Sequence, residues 1–352
     1  MNDNEYLTGI ICGLLDRGSP LVLASIVKQQ GSAPRHAGAR MVIGADGRSY
    51  GTIGGSLLEA GAIEAATSVI AARLSKLIDF DLTGQDTNVP GMICGGTATV
   101  LLEYLGATPE NIDFFRRLHD AVMDGDDVTL VTLYRAAGNA VSDTRHCLLY
   151  HDGKMAGECP LSGADLQNLA AAARGAGSAA VIGIKDWQVV LEPVRKTRKL
   201  YCFGAGHVAK PTAHLAALVG FRVVVADNRA EYASTERFPD AHDVRLISDY
   251  RRALDGLDID ADSFIVIFTH SHLSDRFVLE QALKTDAGYI GMIASRKKRE
   301  AVYRALREKG VTPEELARVH SPIGLDIGAE TPEEIAVSIV AELIQERSRP
   351  AR

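Results

Sequence analysis

The segment from Leu200 to Asp227 constrains the fold of this chain more than any other. A short apolar run leads into Gly204-Ala205-Gly206-His207-Val208-Ala209, which has the pattern G-x-G-x-x-A. A helical apolar face and a second apolar run follow, so Asp227 lies about 20 residues beyond the glycines. This order of strand, glycine turn, helix, strand and acid is typical of dinucleotide-binding units. The sequence therefore predicts a Rossmann-like, doubly wound parallel sheet in this part of the chain.

The residues of this unit have separate predicted roles in holding a nucleotide. Gly204 permits the tight turn, and Gly206 lets backbone N–H groups approach a pyrophosphate at the helix N-terminus. His207 either contacts a phosphate, or serves as an acid–base group, or only fills space beside the loop. Asp227 would accept hydrogen bonds from ribose hydroxyls, which favours NAD, whereas the nearby Arg229 weakens the discrimination against NADP.

The Rossmann-like unit begins past the middle of the chain, so a different domain must precede it. The chain has 352 residues, which is the usual length of two domains. Alternating helical and extended patterns in the first half predict an α+β domain over residues 1–196, and a basic, polar stretch near residue 196 marks its end. We therefore expect the C-terminal α/β domain to cover residues 197–352.

Composition excludes several classes of partner. The net charge of −7 and the pI near 5.8 give no electrostatic reason to bind nucleic acid or an anionic membrane. Five scattered cysteines suit a reducing compartment. The N-terminus lacks the features of a signal peptide, and no apolar run reaches the ~18 residues that span a bilayer. We expect a cytoplasmic protein, and a homodimer because two-fold assemblies are common.

Two glycine-rich loops in the first domain form an internal echo. Gly54 and Gly55 end one apolar strand pattern, and Gly95 and Gly96 follow a second, similar run. Double glycines permit close approach of a backbone or a ligand. The loops are predicted either to face each other across a pocket or to be two independent turns.

Further polar positions are candidate ligand contacts. In the loop at residues 29–40, Ser32 and Arg35 would hold a phosphate or belong to a solvated surface. His270 and His272 follow a strand in a Thr-His-Ser-His segment, where a polar contact to ligand is favoured over a metal site because the ligand spacing of metallo-hydrolases is not met. Ser295 and Arg296 open a basic helix that would take an anion, an acidic partner or solvent.

Several segments together resemble the XdhC/CoxI family. They occur in the family's order between residues 31 and 344, and they are GSAPRHAGARMVI, GTIGGSLLEA, MICGG, YCFGAGHVAKP, VVVADNRAEYASTERFPDA, IVIFTHSHLSD, YIGMIASRKK and PIGLDIGAETPEEIAVSIVAELI. The resemblance implies a maturation factor for molybdenum hydroxylases such as xanthine dehydrogenase. Such proteins bind molybdenum cofactor, support its sulfuration with a cysteine desulfurase, and deliver it to the apo-enzyme. The chain departs from the family at Ser56, where Cys or Gly is frequent, and at Ala294, where Gly is usual.

The resemblance gives three residues of the first domain a role toward the cofactor. Cys94 would carry sulfur or contact molybdenum, because soft thiolates suit such chemistry; otherwise it is a small buried apolar residue. Arg35 would hold the anionic tail of the pterin. Glu59 would bond the amino edge of the pterin, or it favours the N-terminus of its helix.

Two other functions stay open at the level of sequence. An NAD-dependent oxidoreductase is supported by the glycine fingerprint, but no hydride-transfer site is evident. A nucleotide-sensing scaffold without chemistry is the third hypothesis. Since no catalytic triad or metal set is apparent, a cofactor-insertion chaperone is favoured over an enzyme with independent turnover.

Overall fold

The computed structural model describes residues 3–31, 37–82, 96–175, 178–194 and 197–348, with the side chain of Ser56 excepted. The chain divides into two compact units, Asp3–Lys196 and Thr197–Arg352. No helix in the described ranges combines the length and the apolar character that a bilayer span requires.

The N-terminal unit combines four helices with ten strands among its described residues. Its elements are α1 (Asp3–Asp16), β1 (Leu21–Gln30), β2 (Arg40–Gly44), β3 (Ser49–Gly51), α2 (Ser56–Ala72), β4 (Lys76–Asp81), β5 (Thr97–Leu105), α3 (Pro109–Asp124), β6 (Val128–Ala137), β7 (Ala140–Tyr150), β8 (Met155–Gly157), α4 (Gly163–Gly175), β9 (Ala180–Ile184) and β10 (Trp187–Val194). The strands pair antiparallel in the order β3-β2-β1-β5-β4-β7-β6-β10-β9, and β8 pairs with β7. This confirms the predicted α+β class.

The antiparallel sheet folds back on itself. Its two halves join through a single residue pair, Lys76 of β4 with Ala140 of β7. Five strands separate β2 from β10 in the sheet order, yet Arg40 of β2 and Glu192 of β10 form an ion pair. The interior between the halves is therefore a closed core, which α1 and α3 cover at one end.

The C-terminal unit alternates strands and helices. Its elements are β11 (Lys199–Phe203), α5 (Ala209–Leu218), β12 (Arg222–Asp227), β13 (Asp243–Leu246), a 3-10 turn (Tyr250–Arg252), β14 (Ser263–Ile267), α6 (His272–Ala282), β15 (Tyr289–Met292), α7 (Arg296–Arg307), α8 (Pro313–Leu316), β16 (Val319–His320) and α9 (Pro332–Ser348).

These strands form one parallel sheet in the order β13-β12-β11-β14-β15-β16. Helices α5 and α9 pack on one face, and α6 and α7 pack on the other. The predicted doubly wound Rossmann-like fold is confirmed. The strand order reverses between β11 and β14, so the crevice for a ligand is expected at the carboxyl ends of these two strands.

Candidate functional site

The glycine turn after β11 lies at this reversal point. Gly204 has φ +109°, and a Cβ atom added there would come 2.4 Å from the carbonyl oxygen of Phe268, just past β14. Only glycine allows this backbone conformation and this approach together. Gly206 differs, because no described atom lies within 4 Å of its added Cβ position. The turn therefore has one closed side and one open side.

The helix that follows the turn begins without a side-chain cap. In the described part of the chain no side chain caps α5, whose N-cap position is Val208. The neighbouring helices at the same edge do have caps, because Ser271 accepts from the N–H of Ser274 in α6 and Ser295 accepts from the N–H of Lys298 in α7. Since N–H groups at a helix N-terminus attract anions, the start of α5 can receive a phosphate oxygen.

Asp227 lies at the end of β12 and is fully buried. One carboxylate oxygen accepts from the N–H of Ala205 at 2.8 Å and from Nη2 of Arg229 at 2.9 Å. The other accepts from the backbone N–H and Nε of Arg229, each at 2.9 Å. Burial raises the pKa of Asp227, but these hydrogen bonds outweigh it and leave the pKa below its ordinary value. A ribose hydroxyl would have to displace Arg229 to reach this carboxylate.

Two further side chains complete the surroundings of Arg229. Its guanidinium carbon lies 3.8 Å from the ring centre of Tyr232, and that of Arg237 lies 5.0 Å from the same ring. Arg237 also donates to the carbonyl oxygen of Ala205 in the glycine turn at 3.5 Å. Sequence reasoning missed Tyr232 and Arg237, whose only signal was that both fall within the segment shared with the XdhC/CoxI family.

The Thr-His-Ser-His loop after β14 is held by a buried acid. Asp275 is fully buried and accepts from the N–H of Thr269 at 3.1 Å and from its hydroxyl at 2.6 Å. Nζ of Lys298 lies 2.5 Å from the other oxygen. Because its partners are a hydroxyl, an amide and an ammonium, Asp275 orders this loop and couples α6 to α7.

The predicted contacts near this loop remain accessible. The side chains of His207, His270 and His272 are exposed, and the ring of His270 lies 6.0 Å from that of Tyr250. Arg296 is exposed at the start of α7. The structure thus brings the predicted residues of the Rossmann-like unit to one edge of its sheet, and their roles toward a ligand remain predictions.

In the N-terminal unit, Glu59 fastens the first double glycine. One oxygen of Glu59 accepts from the hydroxyl of Thr52 at 2.5 Å and from the N–H of Gly55 at 2.9 Å. Gly54 and Gly55 have φ +121° and +80°, which suits glycine alone. Glu59 therefore acts locally on the helix start, as one of its two predicted roles required.

Much of the predicted pocket lies outside the described residues, namely Ser32, Arg35, Cys94 and Gly95. Gly96 is described, and its carbonyl oxygen accepts from the N–H of Leu82 at 2.8 Å. By strand direction, the end of β3 and the start of β5 lie at the same edge of the sheet, because both neighbour strands are antiparallel. The two double glycines are thus at one edge, and whether they face each other stays a prediction.

The interior of this unit contains a layer of buried charge. Nε of Arg40 lies 3.1 Å from Glu192, and its Nη2 donates to the Asn4 side chain at 3.1 Å. Nε2 of His146 lies 2.7 Å from Glu103, and both side chains are buried. Burial raises the pKa of Glu192, and Arg40 opposes this. Periodicity does not show such a layer, because each residue occupies an inward position of a different strand.

Two cavities border this layer. One of about 270 Å³ is lined by residues that include Arg40 and Glu192. The other, of about 590 Å³, has Glu103 and His146 in its wall. In the wall of the larger cavity the ring of Phe114 stacks on His146 with centres 5.3 Å apart, so the imidazole is held firmly.

Comparison with known proteins covers both units. The XdhC and CoxI family model matches residues 14–81, and the XdhC Rossmann domain model matches residues 200–343. The chain is 28% identical to the Escherichia coli K12 protein YqeB over 94% of its length, but it spans only 44% of that protein. It is also 28% identical to a Bacillus subtilis 168 protein named as a probable xanthine dehydrogenase component, covering 96% of each protein.

A third relative and a solved structure extend these matches. The chain is 23% identical to the molybdenum cofactor insertion chaperone PaoD of Escherichia coli K12, over 98% of this chain and 89% of that protein. The crystal structure of a xanthine dehydrogenase from Bacillus halodurans superposes with a TM-score of 0.81 at 28% identity, covering 99% of this chain and 97% of that one. Since both family models match in order along one chain with this fold, the chain belongs to the XdhC and CoxI family.

Proposed function

We propose that this protein is a maturation factor for molybdenum hydroxylases, which binds molybdenum cofactor, supports its sulfuration and delivers it to an apo-enzyme. Family membership and the relative that is named an insertion chaperone support this proposal. Molybdenum cofactor is here the cargo of the protein. The partners would be the apo-hydroxylase and a cysteine desulfurase, and the assembly would be a homodimer.

The observation that carries the proposal is the uncapped N-terminus of α5 beside an open glycine. The N–H groups after Gly206 can receive the phosphate or pyrophosphate of the cofactor, and no side chain of the described residues occupies that position. A pterin cofactor with a phosphate or a dinucleotide tail fits this arrangement, as does NAD(P). The tail would be bound by backbone N–H groups, with Arg229 and Arg237 nearby as fixed cations.

The N-terminal unit would provide the sulfur chemistry. Cys94 is the proposed thiolate, and the double glycines would let the pterin approach the backbone. Ser32 and Arg35 would hold anionic groups of the same ligand. Glu59 would keep the first double glycine in its open conformation through its hydrogen bond to Gly55.

A substitution at Gly206 tests the anion site directly. Gly206→Asp adds a carboxylate in open space at the N-terminus of α5, where it would repel a phosphate without disturbing the fold. Gly175→Asp is the matched control, because Gly175 also has open space around its added Cβ and lies in the N-terminal unit. Each protein would be produced in a molybdenum-replete host, desalted, and assayed for bound pterin, molybdenum and nicotinamide.

We expect pterin and molybdenum to co-purify with the wild-type and Gly175→Asp proteins and to fall at least tenfold in Gly206→Asp, as expected for a lost phosphate contact of about 1.4 kcal/mol or more. Equal pterin content in all three proteins would exclude the start of α5 as the site. A wild-type protein free of both pterin and molybdenum would contradict the proposed function itself.

The proposed role of Cys94 is tested separately. Cys94→Ser should lose molybdenum or fail to support hydroxylase activity in cells, and Cys12→Ser should behave as wild type. Burial raises the pKa of the Cys12 thiol to about 11, so Cys12 is a poor nucleophile and a suitable control. Full activity of Cys94→Ser would remove the thiolate from the mechanism.

An oxidoreductase is the second candidate function, favoured by the Rossmann strand order and the glycine turn. Bound nicotinamide in the same assay, with neither pterin nor molybdenum, would support it. Reduction of that nicotinamide by a substrate would then be required, because binding alone also fits a nucleotide sensor.

A further inference from the structure

Two cysteines of the N-terminal unit lie side by side although twelve positions separate them in sequence. Cys147 is buried in β7, and Cys159 is half-buried just after β8. In the β7–β8 ladder Cys147 is opposite Gly157, so Cys159 follows two residues later on the same side of the strand. Both side chains pack in one core with residues of β6 and β10.

Gly157 is the residue that brings this segment close to β7. It has φ +95°, and an added Cβ atom would come 2.6 Å from the carbonyl oxygen of His146. The N–H of Glu158 then donates to the same carbonyl at 2.8 Å. The backbone before Cys159 is thus fixed against β7 by a contact that only glycine permits.

The two thiols interact directly. The thiol of Cys147 donates a hydrogen bond to the sulfur of Cys159, and the backbone N–H of Leu161 donates to that sulfur as well. These bonds lower the pKa of Cys159 to about 6 against the effect of burial, whereas the pKa of Cys147 is raised. Gly157, Glu158 and Pro160 around Cys159 are exposed, which gives a small reagent access.

We infer that Cys159 and Cys147 form a reactive dithiol site for small-molecule disulfides, in which Cys159 is the nucleophile and Cys147 the resolving thiol. The thiolate of Cys159 attacks one sulfur of the reagent RSSR, forming the mixed disulfide Cys159–S–SR and releasing RS⁻. The thiol of Cys147 then attacks the Cys159 sulfur, forms the Cys147–Cys159 disulfide, and releases a second thiol RSH. The dithiol is oxidised and the reagent is reduced to two thiols.

The other described cysteines serve as internal controls. Cys202 is fully buried in β11, and burial raises its pKa, while the pKa of Cys12 in α1 is also raised. Neither has a thiol partner beside it among the described residues. The chemical difference is therefore confined to the Cys147–Cys159 pair, and the inference does not depend on the proposed function.

The test treats reduced full-length protein with oxidised glutathione at pH 7 and maps the cysteines by mass spectrometry over time. We expect Cys159 to react at least about tenfold faster than Cys12, because at pH 7 most of Cys159 and almost none of Cys12 is thiolate. The final product should be a peptide pair joined by a Cys147–Cys159 disulfide. A Cys94→Ser protein should give the same product.

Variants separate the two roles. Cys147→Ala should stop at glutathione bound to Cys159, and Cys159→Ser should leave Cys147 unmodified. Fluorescence of the buried Trp187 in β10 reports whether each variant is folded. The inference is overturned if Cys159 of the wild type reacts no faster than Cys12, a comparison that needs no variant, or if glutathione stays on Cys159 while Cys147 is free.

Discussion

Replacing Arg40 by Met tests whether the buried charge layer is energetically coupled. The Arg40 and Glu192 side chains are 6% and 8% exposed, with Nε and the carboxylate 3.1 Å apart. Arg40→Met keeps most of the side-chain volume and removes the cation, so that Glu192 must either be ionised without a partner or take up a proton. The second state costs less in a core of low dielectric constant.

The structure sets the size of the loss. Holding a proton on Glu192 at pH 7, from its ordinary pKa of 4.5, costs about 1.36 kcal/mol per pH unit, or about 3.4 kcal/mol. The lost hydrogen bond to Asn4 adds about 1 kcal/mol. Burial already raises the pKa of Glu192 in the wild type, so part of the first cost is present there too. We expect Arg40→Met to lose about 3 to 4 kcal/mol of unfolding free energy at pH 7.

The sign of the pH dependence follows from the raised pKa. An acid whose pKa is higher in the folded state destabilises the fold as pH rises above its unfolded value. The loss in Arg40→Met should therefore shrink by about 1.4 kcal/mol per pH unit as pH falls from 7 toward 5. Glu103 and His146 lie in the same layer and act on Glu192 electrostatically, so their titration is common to both proteins and cancels to first order.

Urea unfolding followed by Trp187 fluorescence is the assay. Trp187 is the single tryptophan, it is buried, and it lies in β10 with Glu192, so its signal reports on the N-terminal unit alone. The double variant Arg40→Met with Glu192→Met should recover most of the loss and show no pH-dependent difference. Arg48→Met, at a largely exposed position, is the control. A loss in Arg40→Met that is independent of pH, or equally large in the double variant, would refute the reasoning.

Two further predictions concern the Rossmann-like unit. Gly204→Ala should cost about 2 kcal/mol or more, because the added Cβ meets Phe268 at a positive φ, whereas Gly206→Ala should change stability by about 0.5 kcal/mol or less; hydrogen exchange of the β11 amides measures both, and equal effects would contradict the geometry. Asp227→Asn should be destabilising at neutral pH, with a difference from wild type that shrinks as pH falls below about 3.8, because hydrogen bonds from Arg229 depress the pKa of the acid; calorimetry against pH checks this, and a constant difference would count against it.

The fold was predictable where the signal is local. The G-x-G-x-x-A turn, the apolar helix face and the second strand lie within one continuous segment, so the first β-α-β unit follows from its residues. The curled sheet of the N-terminal unit did not follow, because it depends on contacts between strands far apart in sequence. Arg40 and Glu192 meet only after the sheet has closed on itself, and no periodic pattern encodes that meeting.

The site was predictable in position and less so in detail. The glycines, Asp227 and the loop at His270 do gather at one sheet edge, since carboxyl ends of parallel strands coincide. Asp275 was weighed only as a metal ligand, and its pairing with Lys298 requires knowledge of how α6 packs on α7. The Cys147–Cys159 pair depends on the turn at Gly157, whose positive φ is not evident from a single glycine in a sequence.

The two buried acids at the carboxyl edge bear on how a ligand would be recognised there. Asp227 and Asp275 each have both oxygens occupied by partners from the protein, so neither carboxylate is free to read a ribose. What the edge offers outward is the start of α5 and the guanidinium groups of Arg229 and Arg237, all of which attract anions. The arrangement thus favours a ligand bound through its phosphate groups over one identified by its sugar. A protein that must release its cargo to a partner gains from this, because the reactive part of the cofactor need not be enclosed at this edge.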